Sequence, residues 1–204
     1  MTTGQDLLEL SPVMPVVVID DADDAVPAAR ALLAGGIGVI ELTLRTPAAL
    51  SAIERVAAEV PDIVIGAGTV TSPGQAKQAA DSGAKFLVTP GCTDAVLDAC
   101  FETGLPFLPG AATVSEAMRL AERGLTALKF FPAEASGGVA YLKSIAGPLP
   151  GLKFCPTGGI TVASAPSYLA LPNVGCIGGS WLTSSLATRD FATIEKLAAE
   201  AAKL

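Results

Sequence analysis

Eight short apolar segments recur along the chain, and that recurrence constrains the fold more than any other feature. They cover residues 13–19, 39–42, 63–66, 86–89, 106–108, 127–131, 152–155 and 174–177. The first is an unbroken apolar run, as expected of a strand buried on both faces, and the others repeat it. A helix-length stretch follows each one, at a spacing of roughly 20 to 25 residues. The first such stretch, about 23–34, starts with acidic residues and stops at Gly35-Gly36; the second starts near Thr46-Pro47, with the threonine placed to cap, and stops before Pro61. Strand–helix units in that number call for a parallel sheet closed on itself, a (β/α)8 or TIM barrel, preceded by a short helix through residues 7–10. An open doubly wound sheet is the competitor, but no glycine-rich dinucleotide fingerprint follows the first strand. No composition shift marks a linker, so residues 1–204 read as one domain.

In such a barrel the reactive groups sit at the carboxyl ends of the strands. The sixth segment continues as Ala127-Leu128-Lys129-Phe130-Phe131-Pro132-Ala133-Glu134, with one lysine inside an apolar strand. Strand alternation points Lys129 and Phe131 one way, Leu128 and Phe130 the other, and so puts an amine on an interior surface. Desolvation there favours the neutral amine, the form that attacks a carbonyl to make a Schiff base. The plainer alternative is a stem packed on the core with its head in water. Lys85 and Lys153 open their strands at the opposite face, and Lys77, Lys143, Lys196 and Lys203 fall in helical stretches.

Glu41 closes the second strand, where a carboxylate in an apolar wall is suited to passing protons, or is simply a solvated strand-end acid. Arg45, four residues on, presents a fork for a carboxylate or pairs with a surface acid. Thr69 and Pro90 follow the third and fourth strands. Pro156-Thr157-Gly158-Gly159-Ile160 and Gly178-Gly179-Ser180 put paired glycines after the last two strands, where barrels often cradle phosphate with backbone amides.

Composition narrows the chemistry. With no histidine, His-ligated zinc, a Ser-His-Asp triad and a Cys-His pair are excluded. Against 20 acidic residues stand 13 basic ones, a net charge of -7, so neither nucleic acid nor an anionic membrane is an expected partner. Four cysteines fall at no metal or redox spacing, and the start Met1-Thr2-Thr3-Gly4-Gln5-Asp6 has no secretory pattern; both point to a reducing cytoplasm. Hydrophobic residues make up 50% and mean hydropathy is +0.53, yet the apolar runs are shorter than a membrane span. The excess is expected between subunits. A lysine, a carboxylate and a phosphate cradle at one mouth describe Schiff-base chemistry on a phosphorylated keto compound.

Five stretches carry a resemblance. Val39-Ile40-Glu41-Leu42-Thr43-Leu44-Arg45-Thr46, Gly66-Ala67-Gly68-Thr69-Val70, Lys129-Phe130-Phe131-Pro132-Ala133-Glu134, Cys155-Pro156-Thr157-Gly158-Gly159-Ile160 and Cys176-Ile177-Gly178-Gly179-Ser180-Trp181-Leu182 resemble the 2-keto-3-deoxy-6-phosphogluconate aldolase family. The resemblance implies a TIM-barrel class I aldolase, a homotrimer without cofactor or metal. Its reaction would cleave the phosphorylated keto acid to pyruvate and glyceraldehyde 3-phosphate in the Entner-Doudoroff pathway. Many members also cleave 4-hydroxy-2-oxoglutarate to pyruvate and glyoxylate. By this resemblance Lys129 carries the Schiff base and Glu41 moves protons. Arg45 and Thr69 match the pyruvate carboxylate side, Thr157 lies near the reacting carbons, and Gly158, Gly159 and Ser180 form the phosphate cradle. Phe131 matches the ring beside the lysine, and Pro90 counts with the substrate-binding positions. Ala111-Ala112 depart from the larger aliphatic residue and serine that members often carry, which bears on pocket shape. A 2-keto-3-deoxy-6-phosphogalactonate aldolase differs in one hydroxyl configuration and is the nearest alternative. A metal-dependent pyruvate aldolase, a phosphate-sugar isomerase on the same fold and a non-catalytic binding barrel are the others.

Overall fold

The apolar segments become parallel strands whose residues are almost all buried, so the unbroken runs are explained by packing on both faces. The computed structural model describes residues 3–204; Met1 and Thr2, the start of the segment read for a leader, lie outside them. The strands are β1 (Val13–Val17), β2 (Val39–Thr43), β3 (Val64–Gly68), β4 (Phe86–Val88), β5 (Phe107–Leu108), β6 (Gly110–Ala111), β7 (Ala127–Phe130), β8 (Lys153–Pro156) and β9 (Ile177–Gly179). The helices are α1 (Gly4–Leu8), ahead of β1, then α2 (Ala25–Ala34), α3 (Ala49–Glu59), α4 (Pro73–Asp81), α5 (Asp94–Glu102), α6 (Val114–Glu122), α7 (Gly138–Ile145) and α8 (Ala165–Leu169) between strands, and α9 (Phe191–Ala201) after β9.

This is an α/β fold built on a parallel sheet curled into a half-barrel. The single continuous ladder expected from the sequence is resolved as two: β5-β4-β3-β2-β1-β9 and β6-β7-β8. One break falls at Pro109, which has no N–H to give, so β5 pairs with β4 while β6 pairs with β7. The Pro109 carbonyl still accepts the Lys129 amide, at 2.9 Å. On the other side, β8 and β9 meet only through the isolated bridges Phe154 to Val174 and Thr157 to Gly178.

Two local expectations are corrected. Thr46 does not cap a helix: α3 begins at Ala49 behind Ala48, without a side-chain cap, and the Thr46 hydroxyl donates instead to the Ile19 carbonyl. That contact ties the exit of β1 to the loop after β2. The last strand lies two to three residues later than its apolar run, because Gly178 and Gly179, read as loop, pair with Met14 and Pro15. Side-chain caps are made at other helices. Thr113 and Glu116 form a capping box on α6, Ser72 precedes Pro73 on α4, and Thr93 caps α5. No helix among the described residues is long and apolar enough to cross a membrane.

Candidate active site

Lys129 sits third in β7, in register with Gly110 on one side and Cys155 on the other. Glu41, expected to close its strand, instead sits third of five in β2, between Val16 and Gly66, because β2 continues to Thr43 in register with Gly68. The two residues belong to different ladders, and their side chains meet in the interior: Lys129 Nζ donates to Glu41 Oε1 at 3.2 Å. Their side chains are only 4% and 2% exposed. Strand alternation therefore places Lys129 as expected, and the snorkelling alternative does not hold. The Glu41 carboxylate lies directly over Gly68, where a Cβ would stand 2.0 Å from Oε1. The Phe131 ring centroid is 5.6 Å from Lys129 Nζ. A buried ammonium–carboxylate pair differs from an amine–carboxylic acid pair by one proton moved along this contact. That is the proton bookkeeping a Schiff-base lysine needs.

Above the pair lies a cleft of about 120 Å³, lined by Val16, Arg45, Phe131, Thr157, Gly158, Gly159, Ile160, Gly178 and Ser180. Six of the expected site residues thus share one wall-and-floor, and Phe131 joins it to Lys129 below. Thr69 enters through a partner, accepting from Arg45 Nε at 3.0 Å. Thr69 holds φ +57, a left-handed backbone that threonine rarely adopts, so this contact is kept at the expense of strain. Pro90 stands apart from the cleft lining: its carbonyl packs on Gly110, 2.3 Å from where a Cβ would be, while the Thr89 hydroxyl accepts the Gly110 amide at 3.0 Å.

The Gly158-Gly159 turn runs at φ +106 and +80, which glycine adopts freely. It is fastened to the strand that carries Lys129. Thr157 N donates to Phe130 O at 2.9 Å, Ala133 N to Thr157 O at 2.8 Å, and Glu134 N to Gly158 O at 3.1 Å. Gly178 is required for a different reason, since a Cβ there would meet Thr157 Oγ1 at 2.1 Å.

Sequence reasoning missed Val16, whose place in an apolar run carried no signal, and quoted Ile160 only as the end of the glycine motif, without a site role. Gly178 was legible only as half of a glycine pair. A larger cleft of about 580 Å³ adjoins through Val16 and Ser180, but it is acidic, with Asp20, Asp21 and Asp24 on its wall. Arg189 there is already engaged by Asp21 and Asp24 at 2.9 and 2.7 Å. The four cysteines are free, and burial pushes the Cys100 thiol up to about 12. The Cys176 thiol is held well above its ordinary value by its hydrogen bond with Cys155, then by burial. Neither is a nucleophile near neutral pH.

Comparison with known proteins extends this geometry to a lineage. The family model for KDPG and KHG aldolase matches residues 5–197. The 2-dehydro-3-deoxy-phosphogluconate aldolase of Dickeya dadantii (strain 3937) is 49% identical over 202 residues, 98% of this chain and 95% of that protein. The KHG/KDPG aldolase of Escherichia coli (strain K12) is 48% identical with the same coverage. The crystal structure of KDPG aldolase from Legionella pneumophila, with pyruvate captured at low pH as a covalent carbinolamine intermediate, superposes with a TM-score of 0.96 at 44% identity. It covers 98% of each chain. Near half identity along almost the whole length, with a backbone that superposes over 98% of the chain, the chain belongs to the KDPG and KHG aldolase family.

Proposed function

We propose that this chain is a class I aldolase that cleaves 2-dehydro-3-deoxy-6-phosphogluconate to pyruvate and glyceraldehyde 3-phosphate, and also 4-hydroxy-2-oxoglutarate to pyruvate and glyoxylate. The observation that carries the reading is the buried 3.2 Å contact between Lys129 and Glu41 beneath a glycine-lined cleft. Lys129 Nζ gives its proton to Glu41 and attacks the keto carbon. The carbinolamine then loses water, with the proton supplied by Glu41, and becomes a protonated imine. Glu41, directly or through one water, removes the proton of the hydroxyl that becomes the aldehyde. The bond breaks toward the imine, which receives its electrons as an enamine and not as a bare carbanion. Protonation of the enamine and addition of water release pyruvate and restore the amine.

Arg45, with Thr69, holds the carboxylate of the keto acid, a role that suits a guanidinium fork. Thr157 and Phe131 border the reacting carbons. The amides of Gly158 and Gly159, with Ser180, take the phosphate. Pro90 acts through the shape of the β4 end. The covalent pyruvate carbinolamine in the Legionella relative supports the Schiff-base step.

The two ladders are read here as one closed (β/α)8 barrel in which β5 and β6 count as a single strand; the bridges at Phe154 and Thr157 and the Pro109 carbonyl support closure. Residues 1–204 then form one domain. A homotrimer would cover exposed apolar side chains such as Phe101, Met118 and Val162. Free cysteines fit a cytoplasmic enzyme.

The test is borohydride reduction in the presence of pyruvate followed by peptide mapping. A pyruvate-derived mass on Lys129 is expected; a mass on another lysine, or none, overturns the assignment. Glu41→Gln should still be trapped but turn over slowly, and unimpaired turnover removes Glu41 from the role.

A further inference from the structure

Glu134 and Tyr168 take no part in the chemistry above, yet they lie against the turn proposed to hold phosphate. Tyr168, on α8, is fully buried, and its hydroxyl donates to Glu134 Oε1 at 2.7 Å. Burial first, then this carboxylate, pushes the phenol above its ordinary range, so it stays a donor at every working pH. The stem of Glu134 lies on the glycine turn: a Cβ on Gly159 would stand 2.8 Å from both Cβ and Cγ of Glu134. Its backbone amide holds the Gly158 carbonyl at 3.1 Å. The second carboxylate oxygen, Oε2, faces the start of α7, 3.5 Å from where Gly138 would carry a Cβ.

Two consequences follow from this clamp. The stem presses on the turn and fixes the direction of its amides. The phenol also draws the carboxylate charge toward the start of α7, where helix amides favour it, and away from any anion seated on the turn. Without the hydroxyl the side chain is free to swing, which loosens the cradle and brings a like charge to its rim.

We propose that Tyr168 and Glu134 form a positioning pair that sets the anion-binding turn and so selects the phosphorylated end of the substrate, without contact with the reacting carbons. The proposal rests on the aldolase reading and adds residues and a selectivity to it.

The experiment compares two substrates in a coupled assay for pyruvate release. Tyr168→Phe, which removes a single oxygen from a buried ring, should raise KM for the phosphorylated keto acid about tenfold, ~1.4 kcal/mol, the size of one hydrogen bond to a charged group. Its kcat on that substrate, its kinetics with 4-hydroxy-2-oxoglutarate and its rate of pyruvate trapping should stay within about twofold. Glu134→Gln keeps the stem and the acceptor, so its KM should stay within about twofold of the unmodified protein, while Glu134→Ala should match Tyr168→Phe. A change that falls equally on both substrates marks a purely structural role and overturns the proposal, as does no change on either. If the unmodified protein cleaves neither keto acid, the aldolase reading fails by itself, and that outcome is distinct because it precedes any variant.

Discussion

A double-mutant cycle on the buried pair tests the geometry on which the chemistry depends, through stability and independently of turnover. At 3.2 Å and an effective dielectric near 20, the attraction between unit charges on Lys129 and Glu41 is ~5 kcal/mol. Side chains 4% and 2% exposed have surrendered most of their hydration, at several kcal/mol each, so the pair as a whole gains little over apolar residues of similar volume. Removing one partner is different, because the other is left buried without compensation. Lys129→Met and Glu41→Leu should each cost about 3 kcal/mol, and the double variant should fall within about 1 kcal/mol of the unmodified protein. For a chain of 204 residues, 3 kcal/mol lowers Tm by roughly 6 to 12 °C. Guanidinium unfolding read by circular dichroism, with linear extrapolation, gives the four free energies. If the two single losses simply add in the double variant, the side chains do not meet in the interior, and the proton path between them is refuted.

Three further outcomes are expected. Gly178→Ala puts a Cβ 2.1 Å from Thr157 Oγ1, so it should lose about 1–3 kcal/mol in thermal unfolding and weaken phosphorylated substrate together with it; a normal Tm would mean that β9 yields more than its packing allows. Thr69→Gly relieves a left-handed φ of +57 but removes the partner of Arg45 Nε, so Tm should hold or rise while KM for every keto acid increases, a split that a structural role alone would not give. The Glu116 carboxyl lies below its ordinary 4.5, chiefly through the Ala112 amide, with the amide and hydroxyl of Thr113 adding to it. A lowered folded value stabilises above the unfolded one, so the penalty of Glu116→Ala, ~1 kcal/mol or less at so exposed a cap, should be full at neutral pH and fade as pH falls below the carboxylate range. Melting curves at neutral and acid pH check the sign.

Much of this site was legible because each feature follows from a local rule. Period-two alternation turned Lys129 inward, since β7 is short, buried and unbulged. Glu41 was legible by residue type, as a charged side chain in an otherwise apolar strand, and that strand is buried at every position. Paired glycines marked part of the cleft lining, although the reasons differ: Gly158 and Gly159 need their backbone angles, whereas Gly178 needs the space beside Thr157. What escaped depends on partners distant in the chain. The Thr46 hydroxyl prefers the Ile19 carbonyl to a helix end, which no spacing within its own segment reveals. Glycines carry no apolar signal, so the ladder of β9 was placed too early even though its backbone pairs with β1 as well as any valine would. Val16 lines the cleft and stands in register with Glu41 of β2, and a run of identical valines does not say which one does so.

The amine and the acid stand on opposite sides of a seam, one in each ladder, with few backbone hydrogen bonds stitched across it. Their separation is therefore a gauge of how well the halves are aligned. A small slide along that seam would leave every strand, helix and far-ultraviolet signal intact while opening the gap over which a proton has to pass. Lesions outside the cleft lining, at Pro109 or at the Phe154 bridge, should accordingly silence turnover at temperatures where the protein still counts as folded.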